Sequence, residues 1–136
     1  PGSSRLPYAT LCGSVGVADA IDRRVGGFAR GMKQRLGLAT TLIGQPKLIV
    51  LDEPCSALDP IGRREVLDMI SRLRETSTVL FSTHILSDVE DVCDSVTVVN
   101  DGKALYGGSV NEIKKSEEQS FEDAVLELLL PGRGTK

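Results

Sequence analysis

Apolar and polar positions along the chain divide it into segments of helical and strand period. Met32, Leu36, Ala39 and Ile43 recur at helical spacing, which predicts a helix from about Gly31 to Ile43 that stops near Gly44 and Pro46. Lys47 to Leu51 is a short apolar run between Pro46 and Pro54, the pattern of a strand buried on both faces. Asp59-Pro60 opens the next helix, with Asp59 as its cap, Pro60 at the first helical position, and Val66, Met69, Ile70 and Leu73 as its buried stripe. A second strand follows from Thr78 to Ser82. Ser87 and Glu90 stand three apart as a capping box, predicting a short helix from about Asp88 to Cys93.

Val96 to Val99 and Lys103 to Tyr106 flank Asn100-Asp101-Gly102, whose residues tolerate positive φ, so the pair reads as a hairpin. Ser109 with Glu112, and Ser120 with Asp123, predict two further helix starts before a Gly-containing tail. Strands alternating with helices, then a hairpin and terminal helices, imply an α/β domain on a mostly parallel sheet. Residues 1 to about 14 show no sustained period.

Composition narrows the function without fixing it. The 136 residues hold an ordinary apolar share of 40% and carry a net charge of −3 with acids and bases interspersed. No basic stripe is present to neutralise a phosphate backbone, so nucleic acid is not the expected partner. The cysteines, Cys12, Cys55 and Cys93, have no CxxC spacing, and their odd number fits a reducing cytoplasm better than a disulfide framework. The longest apolar stretches fall far short of the roughly 20 residues of a membrane-spanning helix. The first residues, Pro1-Gly2-Ser3-Ser4, show no charged-then-apolar leader and read as a cut or processed end.

The sharpest chemical feature is Leu48-Ile49-Val50-Leu51-Asp52-Glu53-Pro54, where two adjacent acids follow an apolar strand. In open α/β sheets, ligands bind beyond the carboxyl ends of the strands. Asp52 there suits magnesium, which prefers one or two carboxylates together with water and phosphate oxygens. Glu53 suits a base that orients and deprotonates a water. Taken alone, the pair has a plainer alternative as a strand ending in acidic turn residues. Three neighbouring segments add weight: Phe28 to Arg35 leading into a helix, Ser56-Ala57-Leu58-Asp59 directly after the acids, and Phe81-Ser82-Thr83-His84 after the next strand. His84, the chain's single histidine, is expected at the same sheet edge as the acids, because parallel neighbours end on one side.

In this order Ala29 to Leu36 resembles the signature segment of ABC ATPases, Leu48 to Glu53 the Walker B strand, Ser56 to Asp59 the D-loop and Thr83-His84 the switch histidine. The resemblance implies a P-loop NTPase-like fold with flanking helices, ATP and Mg2+ as cofactors, and an ATP-binding, ATP-hydrolysing subunit of an export-type transporter. It assigns Asp52 to the magnesium through water, Glu53 to general-base catalysis and His84 to the γ-phosphate. Ala29, Arg30, Gly31 and Met32 would close over nucleotide held by a second nucleotide-binding subunit, and Ser56 and Asp59 would line the dimer seam. A membrane permease subunit or domain is the further partner implied, with the chain peripheral at the inner face of the membrane and no span of its own.

Ala29 stands where the family usually has Ser, and Cys55 where Thr is usual. The sequence contains no Gly-x-x-x-x-Gly-Lys-Ser/Thr segment; Gly102-Lys103 is followed by Ala104. That loop supplies the amide cradle and the lysine for the β- and γ-phosphates. The chain therefore reads as the C-terminal portion of a nucleotide-binding domain, inactive alone. By this reading residues 1–30 are a remnant of a helical subdomain, 31–115 a catalytic-core remnant and 116–136 a C-terminal helix and tail. A non-catalytic interaction module, or a soluble ABC-type ATPase of DNA repair or translation, are the alternatives.

Overall fold

The computed structural model describes residues 30–131. These form two compact units that meet in sequence between Ser82 and Thr83. The first contains helix α1 (Arg30–Thr41), strand β1 (Leu48–Leu51), helix α2 (Pro60–Leu73) and strand β2 (Thr78–Phe81). The second contains helix α3 (Leu86–Val92), strands β3 (Ser95–Asn100) and β4 (Lys103–Ser109), and helix α4 (Phe121–Leu129).

In the first unit β1 and β2 pair in parallel, with Leu48 opposite Thr78 and Leu51 opposite Phe81. Parallel neighbours need a crossover, and α2 provides it, packing on β2. Asp59 caps α2 as the sequence predicts: its side chain accepts from the Gly62 N–H at 2.9 Å, and Pro60 occupies the first turn. Glycine fits at 62 because a Cβ there would meet the capping oxygen at 2.8 Å. Val66, Leu67, Met69 and Ile70 make the buried stripe of α2, while Leu38 and Ala39 are buried on α1. α1 ends in shorter-range bonds, Leu42 to Ala39 and Ile43 to Thr40, before Gly44 turns at φ 93.

The expectation that β1 is buried on both faces is corrected by the structure. Side chains alternate across a strand, and here Ile49 is 2% exposed whereas Val50 is 63% exposed. Leu48, Val50 and Leu80 share one face of the pair and stand exposed among the described residues.

The second unit is built on the predicted hairpin. β3 and β4 are antiparallel, Asn100 faces Lys103, and Asp101 and Gly102 both adopt positive φ, 48 and 72. Two central residues with positive φ give the turn whose twist matches that of the strands. A bulge falls between Val98 and Val99: their partners are Tyr106 and Ala104, so Leu105 is the extra residue. Val89, Val98, Val110, Ile113, Phe121, Ala124 and Val125 form the core. Ser120 caps α4 by accepting from the Asp123 N–H at 3.0 Å.

Two predicted helix starts are corrected. α3 begins at Leu86, with Ile85 in the cap position and no side-chain cap bond, so Ser87 lies inside the first turn. Residues 110–113 form turns rather than a helix; Ser109 stays in β4 opposite Ser95, and its hydroxyl accepts from the Asn111 N–H at 3.2 Å. The run that follows, 114–119, is wholly polar and offers no apolar stripe to bury.

Candidate functional site

The acidic pair emerges where β1 ends. The parallel register runs one residue beyond the strands: the Ser82 N–H donates to the Leu51 carbonyl at 3.0 Å, which sets Ser82 beside Asp52. The Ser82 hydroxyl then donates to Asp52 Oδ1 at 2.6 Å and accepts from the Glu53 N–H at 2.8 Å. Asp52 is exposed and Glu53 half-buried. Glu53 adopts φ 47, a left-handed conformation uncommon for a residue with a Cβ. Its carbonyl accepts from the Ser56 N–H at 3.0 Å, closing a turn over buried Pro54 and Cys55. Ala57, at φ 56, is a second left-handed residue in the same segment.

This segment is tied to the start of α1. The Gln34 side-chain amide donates to the Pro54 carbonyl, and Arg35 pairs with Glu65 of α2. Gly31 lies near Leu58, whose Cδ2 would meet a Cβ at 3.9 Å. The first unit thus brings Arg30, Gly31 and Met32 at the head of α1 into the same neighbourhood as the loop bearing Ser56 and Asp59. Arg30, Ser56 and Asp59 are exposed, and Gly31 and Met32 are half-buried. Ala29 lies outside the described residues, as does residue 28 before it.

His84 belongs to the second unit, exposed in the turn before α3. Thr83 shapes that turn: its hydroxyl oxygen accepts from the Ile85 N–H at 3.1 Å and lies 3.5 Å from Asp88 Oδ2. Asp88, in the first turn of α3, is fully buried.

Sequence reasoning missed Ser82 and Gln34 as members of this neighbourhood. The signal for Ser82 was available, since counting equal steps along two parallel strands places it beside Asp52. Gln34 had no comparable signal, because its partner is a main-chain carbonyl whose position only the fold determines.

The residues present suit a hydrated magnesium ion. Asp52 is exposed, and only its Oδ1 is engaged by Ser82, which leaves Oδ2 for a water of the ion's shell. No cluster of three or more metal-binding side chains occurs among the described residues, so phosphate oxygens and water would complete the coordination.

A parallel strand pair with a helical crossover and acids at its carboxyl end is an α/β arrangement that sets those acids where open sheets of this class bind ligands. Comparisons with known proteins give the family. A family model described as "ABC transporter" matches residues 8–56. The chain is 50% identical over 104 residues to the ABC transporter ATP-binding protein YxlF of Bacillus subtilis (strain 168), covering 76% of this chain and 35% of that protein. It is 42% identical over 130 residues to the lantibiotic transport ATP-binding protein SrtF of Streptococcus pyogenes, covering 92% of this chain and 55% of that protein. A solved structure titled "Structure of ATP binding subunit of ABC transporter" superposes with a TM-score of 0.76 at 26% identity, over 93% of this chain and 53% of that one. The chain belongs to the ATP-binding proteins of ABC transporters. It spans about a third of the length of YxlF and about half that of SrtF.

Proposed function

We propose that this chain contributes the Walker B, D-loop and signature elements of an export-type ABC transporter ATPase, and that it neither binds MgATP tightly nor hydrolyses it alone. The observation that carries the reading is the acidic pair held by Ser82 at the carboxyl end of a parallel strand pair. In this reading Asp52 holds magnesium through water and Glu53 orients and deprotonates the attacking water. His84 contacts the γ-phosphate. Residues 29–32 close over nucleotide bound by a second subunit, and Ser56 and Asp59 lie along the seam. Magnesium, when bound, neutralises charge developing on the phosphate oxygens.

A role in transport is supported by relatives named for lantibiotic and bacitracin transport. A membrane permease is the second partner, and it sets the substrate. No helix among the described residues is long and apolar enough to cross a membrane, consistent with peripheral attachment at the cytoplasmic face through that permease. The 136-residue sequence contains no P-loop, and the amide cradle and lysine of that loop carry much of the grip on a triphosphate.

Isothermal titration of the purified chain with MgATP is the direct test. Weak binding beyond the millimolar range and no turnover are expected; submillimolar affinity would overturn the claim that the chain is inactive alone. Sedimentation with a P-loop-bearing ABC subunit tests the shared site. ATP should promote association with the wild-type chain and fail to do so with Gly31→Asp, whose carboxylate would face the phosphates. Association that ignores ATP would count against the reading.

A further inference from the structure

We infer that Ser82 is the positioning residue of the acidic pair, its hydroxyl fixing the Asp52 carboxylate and the Glu53 backbone together and leaving Asp52 Oδ2 directed to a divalent cation. The inference rests on the proposed assignment of Asp52 to magnesium.

A serine hydroxyl has one proton and two lone pairs. At position 82 the proton goes to Asp52 Oδ1 at 2.6 Å and a lone pair receives the Glu53 N–H at 2.8 Å. One atom thus meets two needs of the site. Donation to one carboxylate oxygen selects which oxygen remains for a cation, and fixing a metal-binding group by a hydrogen bond from behind is how proteins raise its affinity for the ion. Acceptance from the Glu53 amide holds that residue at φ 47, where the peptide on either side of the base would otherwise relax toward ordinary negative φ. Donation from the hydroxyl to an anion also polarises its oxygen, which strengthens the bond it accepts.

Other side chains fail one of the two duties. Alanine has neither group, and cysteine is a weak donor and weak acceptor at longer range. Threonine retains both. The strand pairing itself does not depend on the hydroxyl, because the Ser82 main-chain N–H bonds the Leu51 carbonyl at 3.0 Å and the Thr78 N–H bonds the Lys47 carbonyl at 2.8 Å. Ser82→Ala is therefore expected to fold, and a changed site in that variant is separable from a lost fold.

Two measurements on the 136-residue chain test the inference. In amide-exchange NMR, Ser82→Ala should speed exchange at Glu53 about tenfold, as loss of one hydrogen bond does, with the main-chain amide at position 82 unchanged. Ser82→Thr should restore the wild-type rate. Wild-type exchange at Glu53 in Ser82→Ala would overturn the inference. The second measurement follows the broadening of resonances at residues 52 and 53 as Mn2+ is added. Ser82→Ala should need about tenfold more Mn2+, the usual effect of removing the group that orients a metal-binding residue, and Ser82→Thr should titrate like wild type. Asp52→Asn separates the two readings. If it leaves the broadening unchanged, or if the wild type shows none, the magnesium assignment fails while the exchange experiment still decides what Ser82 holds. If Asp52→Asn abolishes broadening and Ser82→Ala titrates like wild type, Ser82 is not the positioning residue.

Discussion

The left-handed conformation at Glu53 has a measurable cost. At φ 47 the Cβ crowds the following carbonyl, a penalty of about 1 to 2 kcal/mol for a residue with a side chain. Glycine removes the crowding and gives back roughly 0.5 to 1 kcal/mol through the greater freedom of the unfolded chain. Glu53→Gly should therefore be more stable than Glu53→Ala by about 0.5 to 1 kcal/mol. Comparison with the alanine variant is the right one, since both lose the carboxylate and only alanine keeps the Cβ. Urea unfolding, followed by far-ultraviolet circular dichroism, gives the midpoints, and the slope m should be the same for both. Ala57→Gly, at φ 56, should gain a similar amount without touching any carboxylate. A glycine variant at 53 that unfolds at lower urea than the alanine variant would refute the reasoning. A glutamate kept at such a position, where glycine would be more stable, is what a required carboxylate looks like in energetic terms.

Three further outcomes follow from the same structure. Phe121 is 1% exposed at the centre of the second unit's core, so Phe121→Ala should lower unfolding stability by about 3 to 5 kcal/mol and Phe121→Leu by much less, read from denaturant midpoints. Asp59→Ala removes the cap on α2 at a cost of about 1 kcal/mol, whereas Asp59→Asn should stay within a few tenths, a comparison that separates the cap from any role at a subunit seam. The hydrogen bond from Lys115 holds the Glu127 carboxyl below its ordinary range, opposed by slight desolvation and helped by the lysine's charge. A lowered folded value means that this small stabilisation is present above the ordinary glutamate range and is lost as pH falls through the folded value. NMR titration should show the Glu127 midpoint rising in Lys115→Ala; an unmoved midpoint would remove Lys115 as the cause.

Much of the fold was legible because its signals are local. Asp59-Pro60 at the head of α2, Asp101-Gly102 in the hairpin and Ser120 before α4 act within three residues of themselves, and each does what its chemistry predicts. The failures share a cause. Ser109 with Glu112 has the same local form as Ser120 with Asp123, but the apolar spacing after the second pair continues through Phe121, Ala124 and Val125 to Leu128, whereas after the first it stops at Val110 and Ile113, both buried, before a wholly polar run. A cap stabilises a helix that has a face to bury; it does not create one. Likewise the apolar run of β1 could not say how many of its faces would be covered, because Leu48 and Val50 are as apolar as Ile49. Of the site, the acids and the head of α1 were readable as residue types in order, while the bonds that hold them, Ser82 to Asp52 and Gln34 to Pro54, span 30 and 20 residues.

That ambiguity of faces bears on how the site is kept in place. In most sheets the register is set by an apolar side and a polar side, since a slip of one residue exchanges them. β1 has apolar residues on both sides, so a slip would exchange one apolar set for another at little cost. What distinguishes the native register is at the ends of β2. Before it, the Ser77 hydroxyl donates to the Pro46 carbonyl at 2.7 Å; after it, the Ser82 hydroxyl donates to Asp52. A slip of either strand breaks both bonds at once. The two serines therefore act as end stops on a strand pair whose own pattern specifies register weakly. The later stop is also the group that aims the acids: the main-chain bonds of the pair form without it, and its hydroxyl adds to the preference for the one register in which Asp52 is within its reach.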